Sequence, residues 1–232
     1  MGRPLKCRDI LLLCVCLALG GLIGCRNPIA QPAGTVALQF SLSLDPQVYA
    51  QSNYKKPPQF AIWIEDAAGE NIRTVWVTEK TGAGNWGGKT VRPVSLPYWA
   101  SRWQAETGRG GDPTPDNPAA DAVTGATPKQ DLTCRTEVPA GTKWNYFIEV
   151  NVSGDFNDSF AAVSKDGKQD RDGNGQPSIV YKGQITALPG RHSEPKLIGR
   201  TDQFEDVNRI VSDMEGISNA KDLFSEIEIT AL

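Results

Sequence analysis

Oxygen-bearing side chains recur at alternate positions in Asp170-Arg-Asp172-Gly-Asn174-Gly175. This is the spacing by which a loop wraps a hard divalent cation, with a glycine to take the sharp turn. Asp166 could add a ligand, and Asn151, Asp155, Asn157 and Asp158 lie close enough in sequence to enlarge an oxygen-rich patch. Against calcium stands Tyr181, at the position where an EF-hand supplies its bidentate glutamate, and no flanking helix pair is evident. A polar hairpin loop with solvated turn residues accounts for the same residues and is the expected reading. His192 is the only histidine and has no cysteine partners nearby, so a zinc centre or a histidine-based triad has little material. Cys134 falls in an alternating strand pattern, where an inert buried thiol is expected.

Asp121-Ala-Val-Thr124-Gly125-Ala126-Thr127 is a second concentration of chemistry. It is similar to the acceptor motif on which bacterial flavin transferases link FMN to threonine, which would make Thr127 the acceptor and Asp121, Thr124, Gly125 and Ala126 its recognition frame. A hydroxyl flanked by small residues lets a transferase approach the backbone, and Pro128 biases Thr127 toward an extended conformation. The alternative is a turn leading into a strand, with Asp121 and the hydroxyls bonding nearby backbone groups.

Positioning these residues is the work of an exported domain. Arg3, Lys6 and Arg8 precede an apolar or small stretch from Ile10 to Ile23, too short for a comfortable permanent span. Leu22-Ile23-Gly24-Cys25 resembles the bacterial lipobox, which implies cleavage of a signal peptide over residues 1–24 and a lipid anchor on Cys25. Arg26 and Asn27 follow the anchor, and without aspartate at the second position outer-membrane sorting is favoured. Residues 25–34 are a polar tether rich in Pro, Ala and Gln, and residues 35–232 form one domain. Four of the five cysteines lie in the leader or at the anchor, so no disulfide is available within the domain. A net charge of −3 without a long basic run argues against nucleic acid.

Within the domain, Val36 to Leu44 alternates apolar and polar residues, the period of a half-buried strand. Phe60–Glu65 and Ile72–Val77 form a hairpin around an Asp/Gly turn. Thr81 to Lys89 reads as a loop, Pro97 opens a short helix through Trp103, and Gly108 to Ala120 is a long loop. Further strands are expected at Leu132–Thr136, Trp144–Val152, Ile179–Ile185 and Leu197–Arg200. A helical turn feeds a final strand over Asp222–Thr230. The fold class is mainly β, an immunoglobulin-like β-sandwich with long loops and one or two short helices. The six tryptophans, Trp63, Trp76, Trp86, Trp99, Trp103 and Trp144, should mostly fill or edge the core.

Phe60-Ala-Ile-Trp-Ile-Glu-Asp66, Leu96-Pro-Tyr-Trp99, Asp121 to Thr127 and Gly175-Gln-Pro-Ser178, in that order, resemble the periplasmic family called domain of unknown function 2271. The resemblance covers nearly the whole mature chain and implies an envelope compartment and a β fold, with no activity attached. The Trp63 to Val77 hairpin also resembles the immunoglobulin-like domain associated with flagellar hook scaffolding. The expectation is a non-catalytic, lipid-anchored accessory protein that binds an envelope partner or ligand, within a redox or metal-handling system. The alternative is an FMN-carrying electron-transfer protein flavinylated at Thr127 by a separate flavin transferase.

Overall fold

A computed structural model describes residues 34–86, 95–119, 123–125, 128–170, 173–205 and 207–232. The long alternation seen in the sequence becomes β1 (Thr35–Leu44), in which every second side chain from Val36 to Leu44 is buried. Asp45 then caps a short helix α1 (Pro46–Ala50), its carboxylate accepting the Gln47 N–H at 2.8 Å while Pro46 takes the first turn. The hairpin is β2 (Gln59–Asp66) and β3 (Ile72–Thr78), followed by a one-turn helix α2 (Glu79–Ala83) that overlaps the start of the stretch expected to be a loop. Helix α3 (Pro97–Thr107) ends on Gly108, whose left-handed conformation (φ 67°) a side chain would strain.

The remaining elements are β4 (Val123–Gly125), β5 (Asp131–Pro139), β6 (Lys143–Asn151), β7 (Ile179–Thr186), β8 (His192–Ser193) and β9 (Lys196–Arg200). A 3-10 turn (Asn219–Asp222) and β10 (Phe224–Ala231) follow. The described residues thus hold three short helices and this turn, where one or two helices were expected.

Two sheets make a β-sandwich: one of four strands ordered β5-β1-β10-β8, the other of six ordered β4-β3-β2-β6-β7-β9. Pairing is antiparallel except for β4, which joins the β3 edge in parallel. Between the sheets lie Leu38, Phe40 and Leu42 of β1, Phe60, Ile62 and Ile64 of β2, and Tyr146, Ile148 and Val150 of β6. The opposite residues of β2 and β6 are apolar too. Ala61, Trp63 and Phe147 are covered by Leu96, Trp99, Ala100 and Trp103 at and within α3. This second layer explains why Phe60-Ala-Ile-Trp-Ile is continuously apolar whereas β1, with one face toward water, alternates. Trp63 stacks on Phe147 with centroids 5.1 Å apart and planes 6° from parallel. Burying an indole of this size gains roughly 4 kcal/mol by area, so the α3 layer, with Trp99 and Trp103, is a major share of the hydrophobic stabilisation.

Polar groups tie the helix to the sheet. Leu96 gives α3 no side-chain cap. Instead the fully buried Glu149 of β6 accepts the N–H groups of Tyr98 (3.3 Å) and Trp99 (2.6 Å), together with the Ser178 hydroxyl (2.6 Å). An anion at a helix N-terminus is favoured by the orphan amides and by the helix dipole. On the same face Glu65 accepts the Trp63 indole N–H at 2.9 Å and pairs with Arg102 through Nε at 2.7 Å and Nη2 at 3.1 Å.

Candidate functional site

Two regions at opposite ends of β6 combine polar side chains with accessible or unsatisfied chemistry. At its start, the β2–β3 turn and the β5–β6 turn enclose a cleft of about 860 Å³. Asp66 shapes one wall by accepting the N–H groups of Ala68 (3.1 Å) and Glu70 (2.9 Å); the Glu70 amide and the Asn71 side-chain amide hold its carboxyl below the usual range. Thr142 and Trp144 form the other wall, the Trp144 indole N–H donating to Thr142 Oγ1 at 2.7 Å. Arg73 spans the two sheets, its guanidinium donating to Glu137 O at 2.7 Å and Thr136 Oγ1 at 3.1 Å. With Lys143 it sets two cations beside the Asp66 carboxylate, around an apolar indole. Such a mixture orients a ligand by its polar groups while the ring supplies contact area.

At the other end, Asp170 and the chain from Gly173 to Gly175, the described residues of the Asp-x-Asp-x-Asn-Gly stretch, are bonded closely together. The Asp170 carboxylate accepts three successive amides: Gly173 at 2.7 Å, Asn174 at 3.1 Å and Gly175 at 2.8 Å. The next amide, Gln176, goes to Asp155 Oδ1 at 2.9 Å, so two carboxylates from distant parts of the chain share one run of backbone. Gly175 has φ +78°, and a Cβ there would drive into the Asp155 carboxylate. Asp155 is only 3 % exposed and Asn174 1 %. Asp155 Oδ2 has no hydrogen-bond partner, nor does either end of the Asn174 amide. Burial pushes the Asp155 carboxyl up to about 7, and the nearby Asp170 charge adds to the rise, against the lowering bond from the Gln176 amide.

The sequence-derived ligand set is therefore redrawn. Asp166 lies in an exposed turn and bonds Ser164, so it does not join Asp170. Asp172 lies outside the described residues. Asn157 is occupied locally, accepting the Ser159 and Phe160 amides, and Asn151 donates to Gln176 O; Asp158 is exposed. Of that patch Asp155 and Asn151 both bond Gln176 at the end of the loop, and Asp155 is the one that brings a carboxylate. Within this polar loop Asn174 is enclosed. Among the described residues no three His, Cys, Asp or Glu side chains meet as a metal cluster.

In the flavin-acceptor stretch, the backbone of Thr124 and Gly125 forms the edge strand β4, in register with Val77 and Thr78. Asp121, Ala126 and Thr127 lie outside the described residues, as does Cys25. His192 is a surface residue, Nδ1 standing 2.7 Å from Glu228 Oε1. Cys134 packs against the core, and burial pushes its thiol up to about 12. Of the tryptophans, Trp63, Trp76, Trp99, Trp103 and Trp144 are buried, while Trp86 is half-buried. The cleft residues Asp66, Arg73 and Lys143 went unnoticed in the sequence as a site, because the pairing of β2 with β3 and with β6 is what brings them together.

No family model, curated protein or solved structure matches this chain. Among the described residues no helix is long and apolar enough to cross a membrane.

Proposed function

We propose that the chain is a lipid-anchored accessory protein of the bacterial cell envelope, tethered through Cys25, whose β-sandwich binds a partner or ligand. The observation that carries the binding role is the cleft between the β2–β3 and β5–β6 turns. It gathers Asp66, Arg73, Lys143 and Trp144 from three neighbouring strands of the six-stranded sheet around about 860 Å³ of open space. Loop-built sites on a rigid sandwich are where recognition is commonly placed. The leader pattern and the lipobox-like Leu22-Ile-Gly-Cys25 support the compartment.

The test is site-specific photocrosslinking of the full chain in cells. A crosslinker at Lys143, on the cleft rim, is expected to give a discrete adduct that is absent when the crosslinker sits at exposed Asp131 on β5. Adducts at neither position, or the same adducts at both, would remove the cleft as the binding site. Cys25→Ala should abolish incorporation of labelled fatty acid; undiminished labelling would overturn the anchor.

A second reading is flavinylation of Thr127 by a separate transferase, making the protein an electron carrier. It is favoured by one observation: the preceding Thr124-Gly125 backbone forms the rim of the six-stranded sheet. Intact mass after co-expression with a transferase decides it, an added FMN mass that disappears in Thr127→Ala being required.

A further inference from the structure

Asn174 and Asp155 pose a physical problem that the fold alone leaves unsolved. A buried polar atom without a partner is destabilising, and a buried carboxylate more so unless it is paired. Here three such atoms, Asp155 Oδ2 and both ends of the Asn174 amide, are enclosed on adjoining pieces of chain. The Asn174 carbonyl accepts the Gly154 N–H at 3.2 Å, and the Asn174 N–H is held by Asp170. The chain directly before Asp155 and the chain around Asn174 are thus bonded together, with the Asp170 carboxylate behind the same loop. Among the described residues no ion pair reaches Asp155, and Asp170 adds a like charge rather than compensation.

The loop is also preformed. One carboxylate gathers three consecutive amides, a glycine with positive φ makes the turn, and Tyr54 lies over Gly154 and Gly173 closely enough that a Cβ at either would overlap its ring. That arrangement fixes the backbone while leaving oxygen atoms unpaired. Calcium takes six to eight oxygens from carboxylates, amide and backbone carbonyls and water, and tolerates irregular geometry. The donors present are all oxygen, which suits a hard cation and not a thiolate- or imidazole-seeking metal.

From this convergence we infer that the protein binds one calcium ion between Asp155, Asp170 and Asn174, with water completing the shell. Oδ2 of Asp155 and Oδ1 of Asn174 are the atoms that gain a partner, and the amide nitrogen of Asn174 is left to hydrogen-bond outer water. Two carboxylates rather than the four or five acidic groups of a tight site place the affinity in the range of extracellular modules, on the order of 10⁻⁴ M. The ion links the segment after β6 to the segment before β7, stiffening the end of the sandwich opposite the cleft.

The test is calcium titration of the full chain in detergent after removal of divalent ions, read by calorimetry and by the midpoint of thermal unfolding. One calcium per chain is expected, raising the unfolding temperature, with magnesium much weaker at equal concentration. Asp155→Asn keeps the acceptor for the Gln176 amide and removes only the charge. It should unfold no earlier than the wild type in chelator, yet bind calcium at least tenfold more weakly and lose the calcium-induced shift. Asp166→Asn should leave affinity unchanged. No binding at millimolar calcium, wild-type affinity in Asp155→Asn, or equal loss in Asp166→Asn would each overturn the site.

Discussion

Glu149 offers a quantitative test of how the helix layer is attached. In Glu149→Ala the amides of Tyr98 and Trp99 lose their acceptor in a buried place. The Ser178 hydroxyl can turn to Thr201 Oγ1, already 2.7 Å away, and so counts for little. Two orphaned amides at about 1–3 kcal/mol each, with some relief from no longer burying a carboxylate, predict a loss of roughly 4 kcal/mol. Glu149→Gln keeps one acceptor oxygen, enough for the shorter Trp99 bond, but cannot also accept from Tyr98. It forfeits as well the favourable charge at the helix start, for a loss of about 1–2 kcal/mol. Urea unfolding followed by circular dichroism measures both, and hydrogen exchange at the α3 amides reports whether the loss is local. An alanine variant within about 1 kcal/mol of the wild type, or a glutamine variant as unstable as alanine, would refute the reasoning.

Other outcomes follow from the packing and the ionisable groups. Trp63→Ala removes a ring stacked between sheet and helix and should cost about 3–5 kcal/mol in the same urea assay. Gly183→Ala places a Cβ on the Tyr146 hydroxyl and should destabilise by about 1–3 kcal/mol, an effect expected to shrink in the Tyr146→Phe background. Tyr146 and Tyr181 are each raised from 10.0 to about 12 by burial. The unfolded chain therefore loses these protons first, and stability present below pH 10 should fall as pH rises toward 12, followed by phenolate absorbance and unfolding together. Cys134 should react with iodoacetamide at pH 8 at least tenfold more slowly in the folded chain than in urea.

What the sequence made legible was local. Alternation revealed β1, and the Asp/Gly turn revealed the β2–β3 hairpin, because burial on one face and turn chemistry act over a few residues. Helix α1 carried a readable start in Asp45-Pro46, but at one turn it is too short for a periodic signal. Strand β4 contributes three residues whose strand character comes from docking on β3, a partner far back in the chain. Likewise the cation-loop spacing was visible, yet the choice between Asp166 and Asp155 turned on tertiary approach. Asp166 is nearer in sequence, while the fold brings Asp155 to the Gln176 amide.

The strand order of the smaller sheet carries a consequence for when this protein can fold. Its central pair joins β1, the first strand, to β10, the last, with Leu38 facing Ala231 and Leu44 facing Phe224. Until residues near 231 are available, the inner edge of β1 stays unpaired. Loop closure over such a distance makes folding slow. A chain arrested on a ribosome or in a membrane pore before that point would hold an open sheet edge, and its solubility would depend on a chaperone or on continued movement rather than on its own structure.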